Sequence, residues 1–204
     1  MKGYYFITDA GLSRAGNRSD VLAAVSCGVE VVQYRNKKAD TREMYLEALE
    51  LGRICRDAGS LFLVNDRLDV AMAAEADGVH VDQTDMPCPK ARRLLGRDKI
   101  IGVTVHKLAE ALQAEKEGAD YLGVSPIFQT ATKKDAGRPA GIRLIEEIRE
   151  QVSLPLIAIG GINHSNAPEV IRAGADGLCA ISCVVGEEDM SGRIRRFQEL
   201  FEGI

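Results

Sequence analysis

The chain is predicted to be an α/β protein of one domain over residues 1–204, a (β/α)8 or TIM barrel. Three observations predict it. Strand-like and helix-like stretches alternate to the end of the chain, the strand-like stretches number eight, and no linker, low-complexity tract or shift in composition interrupts them. The strands are apolar nearly throughout instead of alternating, which marks an all-parallel sheet covered by helices. Eight such strands close most naturally into a barrel, although about 25 residues per unit is compact for that fold. A doubly wound open sheet is the competing architecture.

The elements follow in order. "YYFIT" at 4–8 opens the chain as the first strand, and the second lies in "SCGVEVVQYR". A helical spacing over 40–58 leads to the strand "LFLV" at 61–64, and one over 68–76 leads to "AEADGVHVDQ". The strand "IIGVTV" at 100–105 precedes a helix over 107–117, which runs into "KEGADYLGVSP". A helix over 141–151, the strand "PLIAI" at 155–159, a helix over 166–173, the strand in "RAGADGLCAIS" and a helix over 187–201 complete the pattern. Four of these segments share one grammar: a helix ends, a Gly or acidic residue follows, then a short β-branched run, then polar residues. That is a helix C-cap feeding a buried strand.

Composition bounds the function. The chain is 46% hydrophobic and 27% charged, ordinary for a soluble globular protein, with a net charge of −4. That charge and a pI near 5.5 give no footprint for nucleic acid or an anionic membrane, so any bound anion must be met by a local cluster. No apolar run approaches the length of a membrane span, and "MKGYYFITDA" reaches an aspartate too early for a signal peptide, so a cytoplasmic protein is expected. Cys27, Cys55, Cys88, Cys179 and Cys183 are scattered without C-x-x-C spacing and read as free buried thiols.

In a barrel of this kind the chemistry sits on the loops leaving the carboxyl ends of the strands. Those loops carry Gln33, Arg35 and Lys37; Asn65 and Asp66; Gln83 and Asp85; Thr104 and His106; Ser125 and then "TATKKD" at 130–135; Gly160 and Gly161; and Ile181 and Ser182. Each has a bland account: Asn65 or Asp66 as a helix N-cap, Asp85 as a turn residue, Arg35 and Lys37 as a solvated strand end, the diglycine as a tight turn. His80 reads as a satisfied core histidine, His106 as lying behind the site, and His164 as a surface or capping residue. Together the residues describe more. Two carboxylates on adjacent loops, three cations and several hydroxyls suit a magnesium-bound polyphosphate, since hard oxygen ligands hold the metal and Arg or Lys neutralise the remaining charge. Glycines after strand 7 and a small residue after strand 8 suit a second, backbone-lined site for a monophosphate. Two phosphorylated reactants on one face suggest a transfer with pyrophosphate leaving.

"QYRNK", "ND" at 65–66, "DGVHVDQTDMP", "GVTVH", "DYLGVSPIFQTATKKDA", "PLIAIGGI" and "GADGLCAIS" resemble, in order and over nearly the whole chain, the motifs of the thiamine phosphate synthase family. The resemblance implies a transferase that joins a hydroxymethylpyrimidine pyrophosphate to a thiazole phosphate, giving thiamine phosphate and pyrophosphate. It implies Gln33, Arg35, Lys37, Asn65, Thr104 and Lys133 on the pyrimidine pyrophosphate, with Tyr34 and Asn36 of the same "QYRNK" stretch among the binding residues. Asp66 and Asp85 would hold Mg2+. Thr130, Ala131, Thr132, Gly161, Ile181 and Ser182 would hold the thiazole phosphate, so the loop after strand 6 spans both substrates. Arg35, Lys37, Thr104 and Lys133 carry the catalytic expectation. The implied mechanism is dissociative: pyrophosphate leaves, a pyrimidine methylene cation forms and the thiazole nitrogen captures it, with no protein nucleophile. Both partners are small molecules, with no nucleic acid and no membrane, and a homo-oligomer is left open.

Three positions depart from the family's usual pattern: Asp82 for glycine, expected to point to solvent; Thr104 for serine, which keeps the hydroxyl; and Ser125 for glycine, which adds bulk near the thiazole pocket. The related thiazole tautomerase is the nearest alternative, but there a histidine tends to occupy the place of Pro126. A non-catalytic barrel that binds a phosphorylated metabolite is the alternative from another class. Residues 129–139, with several charges and no apolar periodicity, are expected to close over the site.

Overall fold

A computed structural model describes residues 1–132 and 137–202. Eight strands, β1 (Gly3–Ile7), β2 (Val31–Tyr34), β3 (Leu61–Asn65), β4 (Gly78–Val81), β5 (Ile100–Val105), β6 (Tyr121–Val124), β7 (Leu156–Ile159) and β8 (Gly177–Cys179), form a closed barrel in sequence order. Every neighbouring pair is parallel, and β8 returns to β1 through Gly3 opposite Gly177. Between them run α1 (Asn17–Ser26), α2 (Thr41–Ala58), α3 (Leu68–Ala73), α4 (Cys88–Leu95), α5 (Leu108–Lys116), α6 (Ile142–Arg149) and α7 (Ala167–Arg172), with α8 (Met190–Glu199) after the last strand. The alternation is the one predicted, and the open-sheet alternative falls with the β1–β8 pairing.

Local chemistry sets the helix ends. Asp40 caps α2 by accepting the Glu43 N–H at 2.9 Å while the Glu43 carboxylate reaches back to the Asp40 N–H, a reciprocal capping box. Gly59 then ends α2 in the left-handed region at φ 74°, where a Cβ would be strained. The other predicted helices are present but end one to several residues short. α1 and α4 are additions: α1 mixes polar and apolar residues on every face, and α4 is announced mainly by Pro87 and Pro89 at its start.

Two apolar layers hold the barrel. Tyr5, Ile7, Val31, Leu63, Tyr121, Ile157 and Cys179 fill the interior, while the outward residues of the strands pack under the helices. The acidic beat seen in the sequence has a physical purpose at the lower rim. Asp77 accepts the Phe62 N–H at 2.8 Å, Asp120 the Ile101 N–H at 2.7 Å and Asp176 the Leu156 N–H at 2.8 Å, so the acid before each of β4, β6 and β8 ties down the start of the preceding strand. Arg92 and Arg149 in turn pair with Asp120 and Asp176. All five cysteines are free; Cys55, Cys88 and Cys179 are buried, Cys27 and Cys183 partly so. Among the described residues no helix is long and apolar enough to cross a membrane.

Candidate active site

A pocket opens where the carboxyl ends of the strands converge, and strand pleating decides who reaches it. Gln33, Arg35, Asn65, His80, Asp82, Thr104 and Ser125 face in, as do Ile7, Ile159, Cys179 and Ile181, which give the pocket apolar walls. Lys37, Asp66, Thr130, Thr132, Gly160, Gly161 and Ser182 complete its rim. The alternate threonines both reach the pocket while Ala131 between them is exposed and does not. Lys133 lies outside the described residues, as does part of the loop expected to close.

Two expected binding residues turn away. Tyr34 is one step out of phase with Gln33, so its hydroxyl leaves the barrel and donates to Glu47 of α2 at 2.5 Å. Asn36 likewise donates to Glu47 and uses its oxygen on the N–H groups of Lys38 and Ala39. Neither lines the pocket. The motif carried them only because it is contiguous; the pleat separates them from their neighbours.

The charged groups are organised in two pairs. Lys37 lies against the Asp66 carboxylate, and Arg35 donates to Asp9 at 3.1 Å. Asp9 also accepts from the N–H groups of Gly11 and Leu12, so it anchors the β1 loop and holds the guanidinium at once. Sequence reading passed over it, although an aspartate two residues past the first strand was the available signal. Asp66 sits at φ 61°, a conformation that Asp tolerates better than most residues and that here directs its carboxylate toward the mouth. No side chain caps α3, so the capping account of Asn65 and Asp66 fails.

Asp85 combines two roles. One oxygen accepts the Asp82 N–H at 2.7 Å, which makes it the turn residue of the bland account. Its carboxyl is nevertheless held above its ordinary value, first by burial and then by the nearby Asp66 carboxylate, with the Lys37 ammonium pulling the other way. Two carboxylates and an ammonium therefore meet at one point of the rim. Asp82 does not point to solvent as expected: it shares parity with His80, lines the pocket, and lies 3.6 Å from His106 Nε2. The Asp82 carboxylate is the main reason the His106 pKa is raised, and the His106 Nδ1 lies 2.5 Å from the Ser125 carbonyl oxygen. His106 is thus held behind the rim, as predicted. His164 is no surface cap: its ring stacks on Phe197 at 4.0 Å and Nε2 meets the Arg193 carbonyl.

Opposite the charged rim, Gly160 and Gly161 adopt φ 102° and 64°. A Cβ on Gly161 would lie 2.5 Å from the Gln129 carbonyl oxygen and 2.7 Å from Phe128 Cβ, so the β7 loop is glycine because the β6 loop crosses directly over it. The backbone N–H groups of Gly161 and Ser182 have no acceptor among the described residues.

Residues 4–184 match the family described as thiamine monophosphate synthase. The thiamine-phosphate synthase of Chloroflexus aurantiacus is 54% identical over 96% of this chain and 91% of its own length. That of Methanosarcina barkeri is 52% identical over 97% and 89%. Among solved structures, thiamine phosphate pyrophosphorylase from Pyrococcus furiosus superposes with a TM-score of 0.90 at 42% identity, covering 98% of this chain and 95% of that one. With the family match spanning most of the barrel and relatives covered over nearly their whole length, the chain belongs to the thiamine monophosphate synthase family.

Proposed function

We propose that this protein is a thiamine-phosphate synthase that joins 4-amino-2-methyl-5-hydroxymethylpyrimidine pyrophosphate to 4-methyl-5-hydroxyethylthiazole phosphate, releasing pyrophosphate. Beyond family membership, the observation that carries the reading is the meeting of Lys37 with Asp66 and of Asp66 with Asp85, beside a pocket that Arg35, Lys37 and Asp66 line together with Gly160, Gly161, Thr130, Thr132 and Ser182.

The donor set fits Mg2+. Asp66 lies close enough to Asp85 to help raise its pKa, both offer hard oxygens, and Lys37 already places a positive charge on Asp66. Among the described residues no cluster of three or more His, Cys, Asp or Glu side chains exists, which leaves the remaining coordination to water and phosphate oxygens. Bound there, the ion would neutralise the leaving pyrophosphate.

The chain's own residues do the rest. Arg35 and Lys37 meet pyrophosphate oxygens, and the Asp9 contact fixes the direction of the guanidinium. Thr104 donates its hydroxyl, and Gln33 and Asn65 bind the pyrimidine from neighbouring inward positions. Thr130, Thr132, Ser182 and the N–H of Gly161 hold the thiazole phosphate, with Ile181 beneath it. Lys133, which lies outside the described residues, is assigned by the same reading to the pyrimidine pyrophosphate. No protein nucleophile is needed, since the thiazole nitrogen attacks; the one thiol in the pocket wall, Cys179, is pushed far up by burial and stays protonated. The apolar wall of Ile7, Ile159 and Ile181 excludes water, which would otherwise capture the methylene cation as the alcohol. A cytoplasmic location goes with substrates this highly charged.

The test is incubation with both substrates and Mg2+, followed by assay for thiamine phosphate. Thiazole isomerisation without condensation would favour a tautomerase, and binding without turnover a metabolite-binding barrel.

A further inference from the structure

Below the mouth, five polar side chains from five strands join in one line across the barrel. Gln33 Nε2 donates to the Tyr5 hydroxyl at 2.9 Å, and the Tyr5 and Tyr121 hydroxyls meet at 2.7 Å. The Tyr121 hydroxyl lies 2.7 Å from His80 Nδ1, and His80 Nε2 lies 2.8 Å from Thr104 Oγ1. All five are buried, and Gln33, His80 and Thr104 line the pocket. Inward-facing glycines make the room. A Cβ on Gly102 would fall on the Tyr121 ring, and one on Gly123 would lie 2.9 Å from His80 Cε1. Neither glycine has a positive φ, so space, not backbone conformation, excludes a side chain at both.

Counting hydrogens gives the line a direction. Burial raises both phenols well above their ordinary pKa, so each keeps one hydrogen. Tyr5 accepts from Gln33, and its own hydrogen then has only the Tyr121 oxygen to reach among the described residues. Tyr121 accepts that hydrogen and must donate to His80 Nδ1. The imidazole proton is left on Nε2 and goes to Thr104. A threonine that accepts there has its own hydrogen to place elsewhere.

We infer that this relay holds His80 as the neutral Nε2–H tautomer and commits the Thr104 hydroxyl to donate into the pocket, making His80, Tyr121 and Tyr5 positioning residues that act through Thr104. The inference rests on the proposed synthase activity for its consequence. A donor already aimed at the departing phosphate needs no reorientation as negative charge develops, and the relay adds no net charge beside it. The reverse direction, with the Gln33 amide turned over, Nδ1–H on His80 and the Thr104 hydroxyl donating to Nε2, is the other arrangement that satisfies every bond, and it leaves Thr104 only lone pairs to present to the pocket. The tautomer of His80 therefore reports which holds.

Long-range 1H–15N correlation on 15N-labelled protein without substrates reads that tautomer directly. A protonated Nε2 and bare Nδ1 between about pH 6 and 8 is expected. Tyr121→Phe removes the donor to Nδ1, so the tautomers should mix and kcat should fall about tenfold or more while both KM values stay within about twofold. Repeated in a Thr104→Ala background, the same change should lower kcat by less than about twofold, because the relay would have nothing left to aim. A wild-type proton on Nδ1 overturns the assignment whatever the variants do. An equal loss from Tyr121→Phe with and without the Thr104 hydroxyl overturns the positioning role. Absence of thiamine phosphate synthesis alongside an Nε2–H tautomer would instead fault the functional reading and leave the direction of the relay standing.

Discussion

Asp85→Asn separates the metal reading from the turn reading at one residue. The Asp82 N–H that Asp85 accepts at 2.7 Å finds an equivalent oxygen on asparagine, so the turn should survive. Asp85→Ala, by contrast, would remove that acceptor at a cost of about 1 kcal/mol. Asparagine also removes a carboxylate that burial and Asp66 both disfavour, so the fold should lose nothing and the melting temperature should hold or rise. Activity should behave oppositely. Groups that merely support a metal ligand are worth about 10- to 100-fold, so loss of an anionic ligand should lower kcat/KM by about 100-fold or more and raise the Mg2+ concentration needed for half-maximal rate. Steady-state rates across a Mg2+ titration, beside thermal melts of wild type, Asp85→Asn and Asp66→Asn, make the comparison. Wild-type turnover in Asp85→Asn, or undiminished turnover after thorough chelation, would refute the metal assignment and leave Asp85 a turn residue only.

Three further outcomes follow. Ser182→Ala should raise the KM for the thiazole phosphate by about three- to tenfold and leave that for the pyrimidine substrate unchanged, since the backbone donor remains; equal changes in both KM values would show the sites misassigned. Asp82→Asn should bring the raised His106 pKa back toward the usual histidine value in an NMR titration, because the carboxylate is its main cause. A raised histidine pKa stabilises the fold below the unfolded value and ceases to as pH climbs through the folded one, so wild type should lose its margin over Asp82→Asn across that window. Asp176→Ala should cost about 2 kcal/mol in denaturant unfolding with kcat unchanged, because it strands the Leu156 N–H and unpairs Arg149 at the end of the barrel away from the site.

The fold was legible because its strands are buried on both faces, so each appears as a short apolar run, four of them introduced by Gly or an acid. α1 was not, because its buried positions Asn17, Asp20, Val21 and Ala24 include two polar residues that face α2 and the β1 loop, and no apolar stripe results. At the site, parity was the informative signal. Gln33 and Arg35 share it and both reach the pocket; Tyr34 and Asn36 have the other parity and leave for Glu47. The same rule applied to His80 would have brought Asp82 inward. Ile7, Ile159 and Cys179 could not be told from core, because in a barrel the upper interior layer is core and pocket floor at once.

That shared layer explains how an acidic chain binds two anions. The lower rim uses its carboxylates on backbone N–H groups, and Arg92 and Arg149 neutralise two of them, Asp120 and Asp176, far from the mouth. The middle of the barrel is apolar except for the relay, whose five members pass hydrogens without carrying charge under the tautomer inferred for His80. A layer without charge of its own contributes nothing to the balance at the mouth, which is set by the groups there. There Arg35 is held by Asp9, and Lys37 rests on Asp66. The net charge of −4 is therefore a poor guide to the ligand, and the pairing of each cation with a carboxylate is a better one: under the proposed function, a divalent ion held by Asp66 would replace Lys37 as its partner, and Lys37 would be free to meet the phosphate.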